Sequence, residues 1–156
     1  MPNGIFRTLR RLTALHLSSN KLEQLDENLL RGQNQLEDID LSRNELNELP
    51  PLLLDGDFTL KALFYFSIAA ETKSINLNLG CTKLKSIKFS NNHIKALPPG
   101  LFRGLSDVEV LQLQNNEIAD LPERIFHDLG SLTQLVLTGN SIVRISPGIF
   151  SRLFAH

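Results

Sequence analysis

Cysteine is nearly missing from this chain. A single Cys81 stands among 156 residues, which excludes an internal disulfide and any zinc site built on cysteine pairs. A dominant charge is missing as well: 16 Lys and Arg face 17 Asp and Glu. That balance gives no cationic excess for nucleic acid or an anionic membrane and no acidic excess for a solvating tail. The small basic cluster Arg7, Arg10 and Arg11 reads as a solvated face. The longest apolar run, "ALFYFSIAA" at 62–70, is far short of the roughly 20 residues of a membrane-spanning helix. The opening "MPNGIFRTLRR" has no apolar stretch of signal-peptide length, so the chain itself carries no targeting signal. No phosphate-cradling glycine loop, metal-ligand cluster or nucleophile elbow occurs, and His16, His93 and His127 are scattered. The expectation is therefore no catalytic, cofactor-binding or metal site, and no enzyme.

What is present is repetition. "LKSIKFSNNHIKALPPGLF" at 84–102 and "VEVLQLQNNEIADLPERIF" at 108–126 share their apolar residues, one asparagine, one proline and one phenylalanine. Asn20, Asn44, Asn92, Asn116 and Asn140 are separated by 24, 48, 24 and 24 residues. Counting each unit from eight residues before its asparagine divides one domain, 1–156, into a partial repeat at 1–11 and repeats at 12–35, 36–59, 60–83, 84–107, 108–131 and 132–156. Positions 4 and 6 of the units are apolar throughout, from Leu15 and Leu17 to Leu135 and Leu137. Positions 11 and 14 are Leu or Ile wherever the asparagine is kept, and Phe closes the unit at 102, 126 and 150.

The spacing L-x-x-L-x-L-x-x-N-x-L resembles the leucine-rich-repeat pattern, and it has a mechanical reading. Positions 4 and 6 are two apart, so they share one face of a short strand while their neighbours face the other way. The chain must then turn inward, and an asparagine can satisfy the peptide groups buried by that turn. No unit can bury its apolar face alone, so units stack. The predicted class is α/β: a curved solenoid of about six repeats, with a parallel β-sheet on the concave face and loops or short helices on the convex face. Asn20, Asn44, Asn92, Asn116 and Asn140 form its structural ladder.

The third unit, "LKALFYFSIAAETKSINLNLGCTK" at 60–83, is degenerate: Ile68 replaces the asparagine and Lys73 an apolar residue. Either it is an irregular unit whose return segment loops outward, or residues 66–80 are not native coding sequence, as a misread splice boundary would give. The abrupt resumption at "CTKLKSIKF" favours the second account, and the preserved length counts for the first. Cys81 matches the place of Leu105 and Leu129 and reads as a small buried hydrophobe. "PNGIFRTL" at 2–9 aligns with "PPGLFRGL" at 98–105, which leaves both ends uncapped in mid-unit and is expected of a fragment of a longer protein.

The 24-residue unit with "LP…F" in its return segment resembles the typical class of extracellular leucine-rich repeats. "GQNQLEDIDLSRNELNELP" and "LFRGLSDVEVLQLQNNEIADLPERIFHDLGSL" are similar to Toll-like receptor ectodomains. That resemblance implies a protein ligand or receptor partner, a receptor dimer, and innate immune or developmental signalling by a parent protein at the extracellular face of the cell membrane. A secreted or adhesion protein with the same repeat, or an intracellular scaffold, are the alternatives. No nucleic acid is expected. The partner surface would be the outward positions of the sheet: His16, Asp38, Asp40, Phe64, Phe66, Lys88, Gln112, Gln114, Val136 and Thr138. Asp38 and Asp40 are expected to form an acidic spot and Lys85 and Lys88 a basic one two units away, with Phe64 and Phe66 between them as an aromatic hot spot.

Overall fold

A computed structural model describes residues 5–54, 80–151 and 153 of the chain. Five three-residue strands follow one another: β1 (Ala14–His16), β2 (Asp38–Asp40), β3 (Ser86–Lys88), β4 (Val110–Gln112) and β5 (Gln134–Val136). They form one parallel sheet in the order β1-β2-β3-β4-β5. The central residues Leu15, Ile39, Ile87, Leu111 and Leu135 stand opposite one another. In each strand the central side chain turns toward the core and its two neighbours toward the concave face, as period-two alternation requires.

The core is one continuous column. Its layers are the strand centres, the residues two further on such as Leu41, Phe89 and Leu113, and the later Leu46, Ile94 and Ile118; these six and the central Ile39, Ile87 and Leu111 are fully buried, while Leu135 of the last strand is partly buried. On the convex side Phe102, Phe126 and Phe150 stack with ring centroids 6.4 and 5.9 Å apart. Among the described residues this return path is a series of turns and contains no helix.

Each strand ends because the fourth residue after its centre lies in the left-handed region. Ser19, Arg43, Asn91, Asn115 and Gly139 have φ of 58°, 55°, 56°, 56° and 69°. Asparagine and glycine tolerate that region best, and they hold three of these five places. The turn swings the next residue, the ladder asparagine, into the interior. There its amide ties two stacked units together. Asn92 Nδ2 donates to its own unit's Phe89 carbonyl and to the Leu41 carbonyl of the unit before, both at 3.1 Å. Its Oδ1 accepts the Leu46 N–H at 3.1 Å. Asn44, Asn116 and Asn140 repeat the arrangement.

One expectation changes. The described sheet has five strands where about six repeats were read, because β2 hydrogen-bonds directly to β3, 48 residues on. The degenerate repeat at 60–83 lies mostly outside the described residues, as do Phe64 and Phe66, and no strand stands between β2 and β3. The described residues meet at a recognisable junction. Ordinary units close their turn with the Leu105 N–H on the Phe102 carbonyl (3.3 Å) or the Leu129 N–H on the Phe126 carbonyl (3.2 Å). The Cys81 N–H makes the same bond to the Leu54 carbonyl at 3.3 Å. Leu54 and Cys81 therefore fill the places of Phe102 and Leu105, and the described residues 36–54 and 80–83 stack as one unit. Cys81 is buried in the core, as its position predicted.

Two stability outcomes follow from this geometry. Deleting residues 55–78 should leave the solenoid cooperative and raise its unfolding free energy by up to about 2 kcal/mol, since it shortens the sequence separation between Leu54 and its bonded partner Cys81. A lowered urea midpoint for that variant would contradict the junction described. Asn116→Ala strands the Ile94 N–H and removes one of the two amide donors on each of the Phe89 and Leu113 carbonyls, which keep Asn92 and Asn140, and should cost about 2 kcal/mol. Asn20 is exposed and among the described residues bonds only Leu17 and Ser18 of its own unit, so Asn20→Ala should cost below about 0.5 kcal/mol in the same urea titration.

Candidate protein-binding face

The outward residues of the strands and the polar residues just after them make up the concave surface. His16, Asp40, Lys88, Gln112 and Val136 form one row across the sheet by register. His16 is exposed, and Asp38, Asp40, Lys88, Gln112 and Val136 are half-buried. A second row two residues later holds Ser18, Ser42, Ser90, Gln114 and Thr138, of which Thr138 is exposed and Gln114 half-buried. Small hydroxyls there leave the floor shallow. On the rim of that row, Asn115 Nδ2 donates to Asn91 Oδ1 across the units at 3.0 Å. At Gly139, the next position in that series, a Cβ would collide with the Asn115 side chain.

The charges are arranged differently from the sequence expectation. The acidic and basic spots are not two units apart with aromatics between them. Direct pairing of β2 with β3 makes them neighbours, and they neutralise each other. Asp38 Oδ2 lies 3.0 Å from His16 Nε2 and 3.5 Å from Lys88 Nζ, so one carboxylate joins three strands. Lys85 Nζ donates to Glu37 Oε2 at 2.9 Å. Asp40 is occupied by its own loop, accepting the Ser42 N–H and hydroxyl at 2.9 and 2.6 Å.

The titration behaviour follows. Burial alone would raise the Asp38 carboxyl, but the His16 hydrogen bond, with help from Ser86, Lys88 and the His16 charge, holds it below its ordinary 3.8. The Lys85 hydrogen bond lowers Glu37, and Glu37 in turn raises Lys85. On the convex side, partial burial of Asp128 is outweighed by His127 and by the Gly104 N–H at 2.8 Å, which together lower it. The other two described histidines sit on carboxylates too: His93 Nδ1 is 3.0 Å from Glu117 Oε1, and His127 Nδ1 is 2.8 Å from Asp128 Oδ1. A face of amides, hydroxyls and paired charges can form many directed hydrogen bonds with a polar partner. The sequence reading missed these histidine pairings and the left-handed residue at position 8. Both had a signal in the 24-residue register, in Glu117 standing one unit beyond His93 and in the recurrent Asn and Gly before the ladder asparagine.

A family model for Leucine rich repeat matches residues 1–56, 82–142 and 106–153 and leaves out 57–81. Osteomodulin of Rattus norvegicus is 32% identical over 100 residues, covering 63% of this chain and 23% of its own length. The chain thus spans less than a quarter of that relative. The leucine-rich repeat domain of APL1B has a TM-score of 0.70 at 16% identity, covering 96% of this chain and 38% of that one. A chain in the octameric complex of Latrophilin 3, Unc5D and FLRT2 (LRR) has a TM-score of 0.62 at 24% identity, covering 92% of this chain and 37% of that one. Both structures share the fold.

The lowered carboxyls set an acid limit. Asp38 and Asp128 have folded pKa values below 3.8, so their stabilisation is complete above that pH and is lost as pH falls through the depressed values. The thermal midpoint should fall below about pH 4. The fall should be shallower in Asp38→Asn; an identical profile in that variant would remove Asp38 as a contributor.

Proposed function

We propose, since the chain belongs to the leucine-rich repeat family, that it is a protein-binding scaffold which presents the concave face of its sheet to a protein ligand or receptor partner. The observation that carries this is the rigid row from His16 to Val136, locked in register across five strands. Side chains fixed by the solenoid lose little conformational freedom on binding. The complex of Latrophilin 3, Unc5D and FLRT2 (LRR), which shares the fold, supports protein association as the use of such a surface. The candidate contacts are His16, Asp38, Asp40, Lys88, Gln112, Gln114, Val136 and Thr138; Phe64 and Phe66 lie outside the described residues.

The narrower reading is that the parent is a Toll-like receptor with this segment in its ectodomain, anchored at the cell surface and acting as a dimer. It rests on the resemblance of the 24-residue units with their "LP…F" return. The similarity to osteomodulin favours a second reading, an extracellular repeat protein without a signalling role. A coding sequence with a membrane span and a cytoplasmic signalling domain beyond these repeats supports the first reading, and one lacking both supports the second.

The concave-face reading is tested with an array of purified extracellular domains. A domain captured by the wild-type chain should bind at least about tenfold more weakly to Gln112→Glu/Thr138→Glu, and equally well to the convex variant Arg103→Ala. Loss in the convex variant alone would place the contact elsewhere.

A further inference from the structure

We propose that a groove on the flank of the solenoid, away from the concave face, docks an extended cationic peptide segment of a partner protein. The groove has a volume of about 710 Å³ and crosses three stacked turns at residues 24–27, 48–51 and 96–99. It is continuous only because β2 pairs with β3, which brings the third of these turns beside the second. Its lining is mostly apolar. Leu25, Leu49 and Leu97 are buried beneath it, and the proline pairs 50–51 and 98–99 line it.

The chemistry of that lining selects the occupant. Proline has no N–H, so this stretch of wall offers no backbone donors, and the Pro50 and Pro98 carbonyls already accept the Leu53 and Leu101 N–H groups, which leaves the carboxylates as its acceptors. Among the described residues the charged side chains on it are Asp26, Glu27 and Glu48, and none is cationic. Asp26 accepts the Asn28 N–H at 2.9 Å. Glu27 and Glu48 are exposed and make no ion pair among the described residues. The carboxylates Glu37 and Asp38 of the sheet are, by contrast, compensated by Lys85, Lys88 and His16. A groove that accepts hydrogen bonds, carries carboxylates unpaired among the described residues and has an apolar floor is complementary to Lys or Arg side chains, whose stems pack on proline while their heads reach carboxylates.

Spacing sets the length. Turns stack about 4.8 Å apart, so three turns span roughly 10 Å, or three to four extended residues at about 3.3 Å each. Cations two residues apart are separated by about 6.6 Å, close enough to the turn spacing for one to meet Asp26 and Glu27 and the next Glu48. An apolar residue beyond them would lie over Pro98 and Pro99.

The test titrates the isotopically labelled chain with the blocked peptide acetyl-Arg-Gly-Arg-Val-Leu-amide. Backbone shifts should gather at residues 24–27, 48 and 96, and binding should weaken with added salt. Glu27→Gln/Glu48→Gln should bind about tenfold more weakly, and Glu117→Gln, an equally exposed acid outside the groove, should bind as the wild type does. Unchanged affinity in the double variant overturns the proposal, as does equal binding of the analogue with Glu in place of Arg. Shifts confined to Gln112 and Thr138 also overturn it, while leaving the concave-face reading standing, and an absence of shifts at millimolar peptide overturns it outright.

Discussion

The amide of one asparagine per turn is the constraint on which the molecule depends. When the chain leaves a three-residue strand and bends inward, it carries peptide groups to a place water does not reach. An unpaired buried carbonyl or N–H there would cost about 1–3 kcal/mol. Asn44, Asn92, Asn116 and Asn140 each place donors on a carbonyl of the same turn and one of the turn before, and each accepts an N–H from the turn before. The bend is therefore stable only with a neighbour in place. Adding the leucine and isoleucine layers, which are equally incomplete in a single turn, makes the fold a property of the stack.

The interior was legible in the sequence because side-chain identity alone decides it. Leu15, Ile39, Ile87, Leu111 and Leu135 occupy the places that period and alternation assign them, and Cys81 is buried as its position required. The break was harder to place. The segment between Leu54 and Leu79 is as long as one repeat, so counting by 24 made a whole unit of it. The signal that locates it is local. Gly80 precedes Cys81 as Gly32 precedes Gln33 and Gly104 precedes Leu105, and Leu54 stands where Phe102 stands. Read from those anchors, the repeat resumes at Leu79 and is interrupted after Leu54.

The charge pattern of the binding face depended on that one point. With a unit inserted between them, Asp38 and Lys88 read as two separate spots; as neighbours they are 3.5 Å apart. Sequence gives the charges but not which turns touch. The same adjacency joins the flank turns at 48–51 and 96–99 into one groove. Compensated charges hold the sheet face together and contribute little attraction at a distance, whereas the open carboxylates of the flank act over about a Debye length, near 8 Å in physiological salt.

The aromatic column on the convex side has a geometrical consequence. Phe102, Phe126 and Phe150 occupy the outer wall of the later turns and Phe6 holds the same place by register in the first, while Leu30 and Leu54 stand between them. A ring takes more room than an isobutyl group, so the wall is filled by two different volumes and its layers are not interchangeable. A phenylalanine set where Leu54 sits would overfill the wall, and a leucine in place of Phe126 would leave a void between two rings.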